Sequence, residues 1–492
     1  MSTLENAVSR ASDEQKRAMQ SPVLCVDLDG TLIKTDLFWE CIVLLLKSRP
    51  WLLLLTPLWL LQGRAVLKRR LAERIAFQPA MLPYRSDVIE FLCRQKKNGQ
   101  TLVLATAADK NLAQQVAAHL SLFDHVYATE AGSNLKGRAK ASLLESKFGK
   151  GGFEYVGDSK SDLPVWKIAC GAYVVGNPQL VNQASSVTTL KGVFAVNPPS
   201  LQTWVRALRG HHWAKNLLLF LPLLLAHKLQ LQPWLMTFIG FVLFGLCASS
   251  LYLFNDVLDL HSDRAHPWKS SRPLAAGETS IQTGLVVSLL LISVALGLGY
   301  VLSTNFGLVL TTYALLTIWY SIQIKRLVLL DVFVLSSFYT IRIWAGGLVS
   351  HTFLSQWFLG FSLFFFLSLA MAKRYSELLH AEELVKSGNS GRAYRPADRE
   401  LISALGIGSS FSSVVILSLY VHSQEILALY RRPGPLLLLC PVVLYWLSRI
   451  WLRAHRGELH EDPVTLAMRD PLSYTLAAIT LVIIALSVVR LG

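Results

Sequence analysis

The apolar positions along the chain fall into two regimes. Up to about residue 205 they form short runs: VLCVDL (23–28), TLVLAT (101–106), DHVYAT (124–129), FEYVGD (153–158) and GAYVVG (171–176). Stretches of helical spacing lie between them, at 86–98, 109–121 and 138–148. Strand–helix alternation predicts a parallel sheet with helices on both faces. Active sites in such sheets lie at the carboxyl ends of the strands. Asp27, Thr106 and Asp158 each close one of these runs, so all three are expected at one rim. From about residue 206 the pattern changes to apolar blocks separated by short basic loops: 216–227, 234–254, 282–302, 305–323, 327–349, 353–372, 401–421, 434–452 and 472–490. A spanning helix needs about 20 apolar residues. The blocks predict an all-α polytopic membrane domain of about nine transmembrane helices over 206–492, preceded by a tail (1–20) and an α/β domain with linker (21–205).

Between the first two strands lies an insertion, 36–85. Its apolar stretch 37–62 has two arms split by Lys47-Ser48-Arg49-Pro50, with about 10 and 12 residues, too short to span. Two readings stay open. The arms form either a buried helical hairpin in a cap or an interfacial hairpin that dips into a bilayer surface. Tryptophans and leucines at the arm ends and the basic run GRAVLKRRLAER (63–74) suit the second reading.

Composition reinforces the division. The chain is 52% hydrophobic and 16% charged, against about 25% charged in soluble domains. The formal net charge of +15 is read as loops facing anionic lipid and phosphate-bearing substrates. Without a nucleic-acid-reading motif, no nucleic-acid partner is expected. With the α/β domain placed inside, the inner loops carry 14 Lys and Arg and the outer loops three, Lys228, Arg431 and Arg432. That asymmetry predicts a cytoplasmic α/β domain and an external C-terminus; the expected location is a bacterial-type inner membrane. The polar first twenty residues predict no cleavable signal peptide. The six scattered cysteines predict neither a disulfide framework nor a metal cluster.

Four polar elements follow the apolar runs in order: Asp27-Leu-Asp29-Gly-Thr31, Thr106, Lys136 and Lys140 at a helix start, and Gly157-Asp158-Ser-Lys-Ser-Asp162. Over about 21–180 this set resembles the haloacid dehalogenase (HAD) superfamily. The resemblance implies a Rossmann-like α/β fold with a helical cap and a phosphatase activity. Asp27 would be the carboxylate nucleophile, forming an aspartyl-phosphate that splits one hydrolysis into two steps. Asp29 would protonate the leaving alcohol and then activate water. Mg²⁺, a hard ion, would take oxygen from Asp27, Asp29, Asp158 and Asp162. Thr106 and a lysine, Lys140 in preference to Lys136, would hold the phosphoryl oxygens.

In the membrane part, the second and third blocks are joined by NDVLDLHSDRAHPWKSSRPLAAG (255–277). Asn255, Asp256, Asp259 and Asp263 recur at about one helical turn, on one face of a helix. Acids at a membrane-helix end are costly without cations, which predicts Mg²⁺ bridged to a diphosphate, with Arg264, Lys269 and Arg272 neutralising further phosphate charge. This motif and the block count resemble the UbiA superfamily of intramembrane prenyltransferases. Most members carry a second Asp-rich motif after the fourth helix. Here that place reads YSIQIKRLVLLD, giving Tyr320, Lys325 and only Asp331. LRGHHWAKNLL (208–218), YSIQIK, RIWAGG (342–347) and KRYSEL (373–378) are similar to the branch represented by decaprenyl-phosphate phosphoribosyltransferase.

That resemblance implies phosphoribosyl diphosphate (PRPP) and polyprenyl phosphate as substrates. Asp256, Asp259 and Asp263 would hold Mg²⁺ on the diphosphate. Lys215, Lys325, Arg342, Lys373 and Arg374 are candidates for the anionic groups, with Asn216 and Tyr320 orienting them. Arg342 lies mid-block, with Asp331 or substrate phosphate as candidate partners. The expected chemistry is a two-step synthesis of polyprenyl-phosphoryl-ribose, transfer first and dephosphorylation second. The alternatives are an aromatic prenyltransferase and a lipid-binding protein with a regulatory HAD domain.

Overall fold

The computed structural model describes residues 22–130, 134–228, 230–384, 394–430, 432–459, 466 and 470–488, so the tail 1–20 and Arg431 lie outside the described residues. The chain forms two compact units. The first runs to Ala207 and also takes in Asp256–Val286; the second comprises Leu208–Asn255 and Val287–Gly492.

In the first unit, β1 (Val23–Val26), β2 (Leu102–Asp109), β3 (His125–Thr129), β4 (Phe153–Gly157), β5 (Gly171–Gly176) and β6 (Leu190–Ala195) form one sheet in the order β3-β2-β1-β4-β5-β6. All five pairings are parallel. Successive strand residues face opposite sides, which builds two cores. Leu24, Val26, Leu102 and Leu104 pack on one face, and Cys25, Val103, Tyr155 and Val174 on the other. Strands buried on both faces read as continuous apolar runs, which is why β1, β2, β4 and β5 stand out in the sequence, while β3, at one edge, is only partly buried. β6 does not stand out: it is the other edge strand, with alternating exposure.

The chain leaves β1 toward β2 and β3 on one side and returns to β4 on the other, so the crevice at the carboxyl ends of β1 and β4 is a topological switch point. Asp27 and Asp158 sit there as expected. Thr106 does not close its strand. β2 continues to Asp109 with a register break after Ala105, where the Thr106 hydroxyl accepts a bond from Ala108 N–H (3.0 Å).

The insertion is helical, with Leu37–Ser48, a 3₁₀ stretch Pro50–Leu55, and helices Thr56–Leu61 and Arg64–Ala72. Asp36 caps the first helix by accepting from Phe38 N–H at 2.8 Å. That helix buries Leu37, Cys41, Val43 and Leu45, together with Glu40. The second arm packs Leu52, Leu53 and Trp59 against the core and exposes Leu54, Leu55, Leu58, Leu60 and Leu61. The first arm is thus the buried one.

Among the described residues, eight helices are long and apolar enough to cross a membrane, beginning with Leu231–Leu258 and ending with Pro471–Val488. The first apolar block, 216–227, is not one of them. It folds as a 3₁₀ segment Gly210–Phe220 followed by the short helix Leu221–Leu225. Pro222 lacks an N–H and fits only a first helical turn, so the helix restarts there. The 3₁₀ segment packs on helix Leu330–Val349 at Gly346, where an added Cβ would lie 2.0 Å from the Leu219 carbonyl.

Candidate active sites

At the switch point, Asp27 Oδ1 accepts from Leu28 N–H (2.8 Å), and its other oxygen lies 2.9 Å from Lys140 Nζ. Lys140 enters from the first turn of helix Arg138–Phe148 and is almost fully buried. It also donates to the Tyr155 hydroxyl (2.7 Å), which in turn donates to Asp162 (3.1 Å). Asp162 has two tasks. Its second oxygen accepts from Ser159 N–H and Oγ, capping a 3₁₀ turn. Gly30 adopts φ +73°, and a Cβ there would lie 2.0 Å from Asp158 Oδ2, so only glycine lets the β1 loop approach the β4 loop.

The electrostatics are those of crowded acids. Burial raises Asp27 to about 6, against the opposing charge of Lys140. Burial, then Asp27 and Asp162, push Asp158 well above the usual carboxylate range. Burial opposes charge on Lys140, but Asp27 and Asp162 outweigh it and raise its pKa. Asp27, Asp158 and Asp162 each offer an oxygen within 4.8 Å of the others. That all-oxygen donor set, with its surplus negative charge, fits Mg²⁺. The Asp29 carboxylate is not part of the set. It accepts from Leu37 N–H (2.9 Å) at the start of the cap, and burial, then Asp36, raise it to about 8. It therefore holds a proton more readily than a free carboxyl does.

The site opens into a cavity of about 600 Å³ whose lining includes Asp29, Lys140, Asp158, Trp39, Leu60 and Gln282. Lys136 lines it too, without the ion pair that ties Lys140 to Asp27. Lys68 of the cap reaches across to Ala107 O (2.6 Å) and Asn134 Oδ1 (3.2 Å), a link that its place in a basic run did not reveal.

The Asp-rich segment differs from expectation. Helix Leu231–Leu258 ends within it, and Asp259 starts the short helix Leu260–Arg264. The acids therefore do not line one continuous helix face. Among the described residues they do not bring three carboxylates together, as Asp27, Asp158 and Asp162 do. Asp256 and Asp263 converge on Arg272, at 3.1 and 2.5 Å, while Asp259 lies 3.9 Å from Lys47 of the cap. Burial raises the Asp263 pKa against the pull of Arg272. Arg264 is engaged by Glu40, with its nitrogens 2.8 and 3.1 Å from the two carboxylate oxygens, and also donates to Met81 O and Ala275 O. His261 Nε2 comes within 3.3 Å of Glu40. Lys269 is exposed in a 3₁₀ turn and Asn255 is half-buried. Glu40 escaped sequence reasoning; a lone acid inside the run LFWECIVLLL was the available signal.

Within the second unit, Arg342 is buried, but its partner is not Asp331. It donates to Asn216 Oδ1 (2.9 Å), the Tyr313 hydroxyl (3.0 Å) and Phe338 O (2.6 Å), and lies over the Phe244 and Tyr313 rings. Asn216 Nδ2 is buried and finds no acceptor among the described residues. Lys215 lies 5.5 Å from the Tyr339 ring centroid, and Tyr320 packs edge-on against Phe338. Asp331 is fully buried and bound by Arg374 and the Tyr394 hydroxyl (2.5 Å), while Arg374 also pairs with Glu377. The charge of Arg374 is thus met inside the protein. Lys325 sits in the 3₁₀ turn Ile324–Arg326, and Lys373 is half-buried beside Arg374.

Comparison with known proteins gives a matching division. A model described as the UbiA prenyltransferase family matches residues 216–469, and one described as haloacid dehalogenase-like hydrolase matches 24–167. The chain is 37% identical to the uncharacterized protein y4nM of Sinorhizobium fredii, over 93% of this chain and 89% of that one. It is 34% identical to nodulation protein NoeC of Azorhizobium caulinodans, over 54% of this chain and 87% of the relative. A decaprenyl-phosphate phosphoribosyltransferase of Mycolicibacterium smegmatis is 33% identical over 45% of this chain and 70% of its own length.

Proposed function

The chain belongs to the UbiA prenyltransferase family and carries a HAD-like hydrolase domain ahead of that part, and from that premise we propose that it is a two-step enzyme of lipid-linked sugar synthesis. It is an integral membrane protein with eight apolar helices. In the first step a polyprenyl phosphate oxygen attacks the anomeric carbon of PRPP. The bond to diphosphate breaks, and diphosphate leaves with the electron pair. In the second step the HAD domain hydrolyses the ribose 5-phosphate, leaving polyprenyl-phosphoryl-ribose and inorganic phosphate.

The observation that carries this reading is the grouping of the Asp-rich segment with the HAD domain in one compact unit. The two sets of residues assigned to phosphate chemistry would then share a structural body, which suits serial steps on one substrate. The basic inner loops support placing both on the cytoplasmic side of a bacterial inner membrane.

Asp27, Asp158 and Asp162 would hold Mg²⁺ in the HAD site; in the transferase, Asp256, Asp259 and Asp263 would have to exchange Arg272 and Lys47 for it. Bound there, the ion neutralises phosphoryl oxygens and improves the leaving group. The rest is done by side chains. Asp27 attacks phosphorus and forms the aspartyl-phosphate. Asp29, whose protonated form burial favours, gives its proton to the departing sugar oxygen and then takes one from water. Lys140 neutralises charge beside Asp27, and the Thr106 hydroxyl, already accepting from Ala108, has its own hydrogen left to donate to a phosphoryl oxygen. In the transferase, Arg272 moves from the acids to the diphosphate. Asn216 Nδ2, Lys215, Lys325, Arg342 and Lys373 meet the anionic groups, with Tyr320 orienting them.

The locked Asp331 argues against an aromatic prenyltransferase, which would use acids at that place for a second cation. One assay with PRPP and polyprenyl phosphate tests the proposal. Wild type yields unphosphorylated ribosyl lipid, Asp27→Asn accumulates the 5-phosphorylated lipid, and Asp256→Asn makes neither. An unchanged product distribution in Asp27→Asn overturns the serial order.

A further inference from the structure

We propose that the second arm of the cap, Pro50–Leu61, is a docking face for an anionic bilayer surface. Its 3₁₀ stretch and short helix carry Trp51, Leu54, Leu58 and Leu61 at 63, 80, 55 and 84% exposure. These are not side chains awaiting a core. The arm is already seated through Trp59, which is buried and has the Arg74 guanidinium 4.9 Å from its ring centroid. The remaining face is apolar, contiguous in sequence and uncovered.

Two features commit that face to lipid. The first is charge complementarity. Residues 47–74 contain seven Lys and Arg and one acid, Glu73; Lys68 turns inward to Ala107 O and Asn134 and Lys47 pairs with Asp259, which leaves Arg49, Arg64, Arg69, Arg70 and Arg74 flanking the arm in sequence. An apolar face bordered by cations is the composition of an interfacial helix, and each cation near an anionic surface adds about 1 kcal/mol. A protein partner of that chemistry would have to be both apolar and acidic. The second is supply. The same chain carries eight apolar spans, so a bilayer is tethered to the cap at high effective concentration. At twelve residues the arm is too short to cross and lies in the plane of the interface.

The position of the arm gives the docking a use. Leu60 and Arg64 line the cavity that holds Asp27 and Asp29. A docked arm would place that rim against headgroups, where a phosphomonoester borne on a membrane-anchored amphiphile arrives. This assignment of substrate class rests on the proposed function; the docking does not.

The test uses the full chain in nanodiscs of phosphatidylcholine with or without phosphatidylglycerol. A genetically encoded environment-sensitive fluorophore replaces Leu54, or Lys97 on the core helix Ser86–Lys97 as a control. Docking predicts that lipids brominated high on the acyl chain quench position 54 several-fold more than position 97. It also predicts that iodide quenches position 54 less, and that phosphatidylglycerol strengthens both effects. Quenching of position 54 by iodide and not by brominated lipid overturns the docking. So does protection from iodide that is lost at one protein per disc, which would assign the face to a second copy. A separate arm addresses the substrate. In Leu58→Glu/Leu61→Glu, hydrolysis of p-nitrophenyl phosphate is retained while hydrolysis of the ribosyl lipid phosphate falls about tenfold. An equal rate on the lipid overturns the substrate assignment and leaves the docking to the fluorescence result.

Discussion

Glu40 of the cap helix holds Arg264 of the Asp-rich segment through both carboxylate oxygens, at 2.8 and 3.1 Å, across 224 positions of sequence. The pair ties the Asp-rich segment to the cap. Glu40 is fully buried and Arg264 nearly so. Removing one partner of a buried pair strands the other charge, at a cost of about 3–5 kcal/mol. Glu40→Ala is therefore expected to loosen residues 256–286 and to lower diphosphate release, with p-nitrophenyl phosphate hydrolysis much less affected. Hydrogen exchange across 256–286 and the two assays check this. Equal losses in both activities would mean that the cap itself had collapsed.

The same pair sets a pH dependence. Burial alone would raise the Glu40 pKa, but His261 and Arg264 bring it down to about 2. A carboxylate depressed on folding contributes stability that is full above its unfolded value of about 4.3 and lost as pH falls toward 2. The difference corresponds to about 3 kcal/mol. Protease resistance of 256–286 should be flat from about pH 5 to 8 and decline below about pH 4, and Glu40→Gln should flatten the decline.

Asp29→Asn removes the group that holds the proton while leaving Asp27 and Lys140 in place. Loss of a general acid lowers turnover by about 10²–10⁴-fold. The loss should be smaller for p-nitrophenyl phosphate, whose leaving group needs less protonation, than for an alkyl phosphate. A comparison of kcat for the two substrates decides it.

Gly346 faces the Leu219 carbonyl so closely that no side chain fits. Gly346→Val should push the 3₁₀ segment away from helix Leu330–Val349, and Asn216 with it. Overpacking of this kind costs about 1–3 kcal/mol. Transferase activity is expected to drop with phosphatase activity retained, and Gly346→Ala to fall between the two.

What was legible in the sequence is what local pattern encodes. Central strands buried on both faces announced themselves as apolar runs, and the residues that close them, Asp27 and Asp158, arrived at the predicted rim. Lys140 was placed by its position at a helix start. The misses have a common physical origin. β6 alternates because one face is exposed, so it never formed a run. The Asp-rich motif has helical spacing, but the helix breaks at Asp259, and spacing carries no information about such a break. Arg342 found Asn216 and Tyr313 instead of Asp331, because packing chose its partners from segments distant in sequence. Glu40 was visible only as an oddity, an acid in an apolar arm, with nothing nearby in sequence to name its counterpart.

Arg272, poised between Asp256 and Asp263, also sets what a ligand would have to displace. Both carboxylates are buried at a membrane-helix end, where an uncompensated charge is costly. The guanidinium is their counter-ion. Under the proposed transfer, a cation-bound diphosphate would give the acids one positive partner in exchange for another, and the arginine would follow the negative charge. Substrate entry would then be an ion exchange in which no bare charge need be created at any stage.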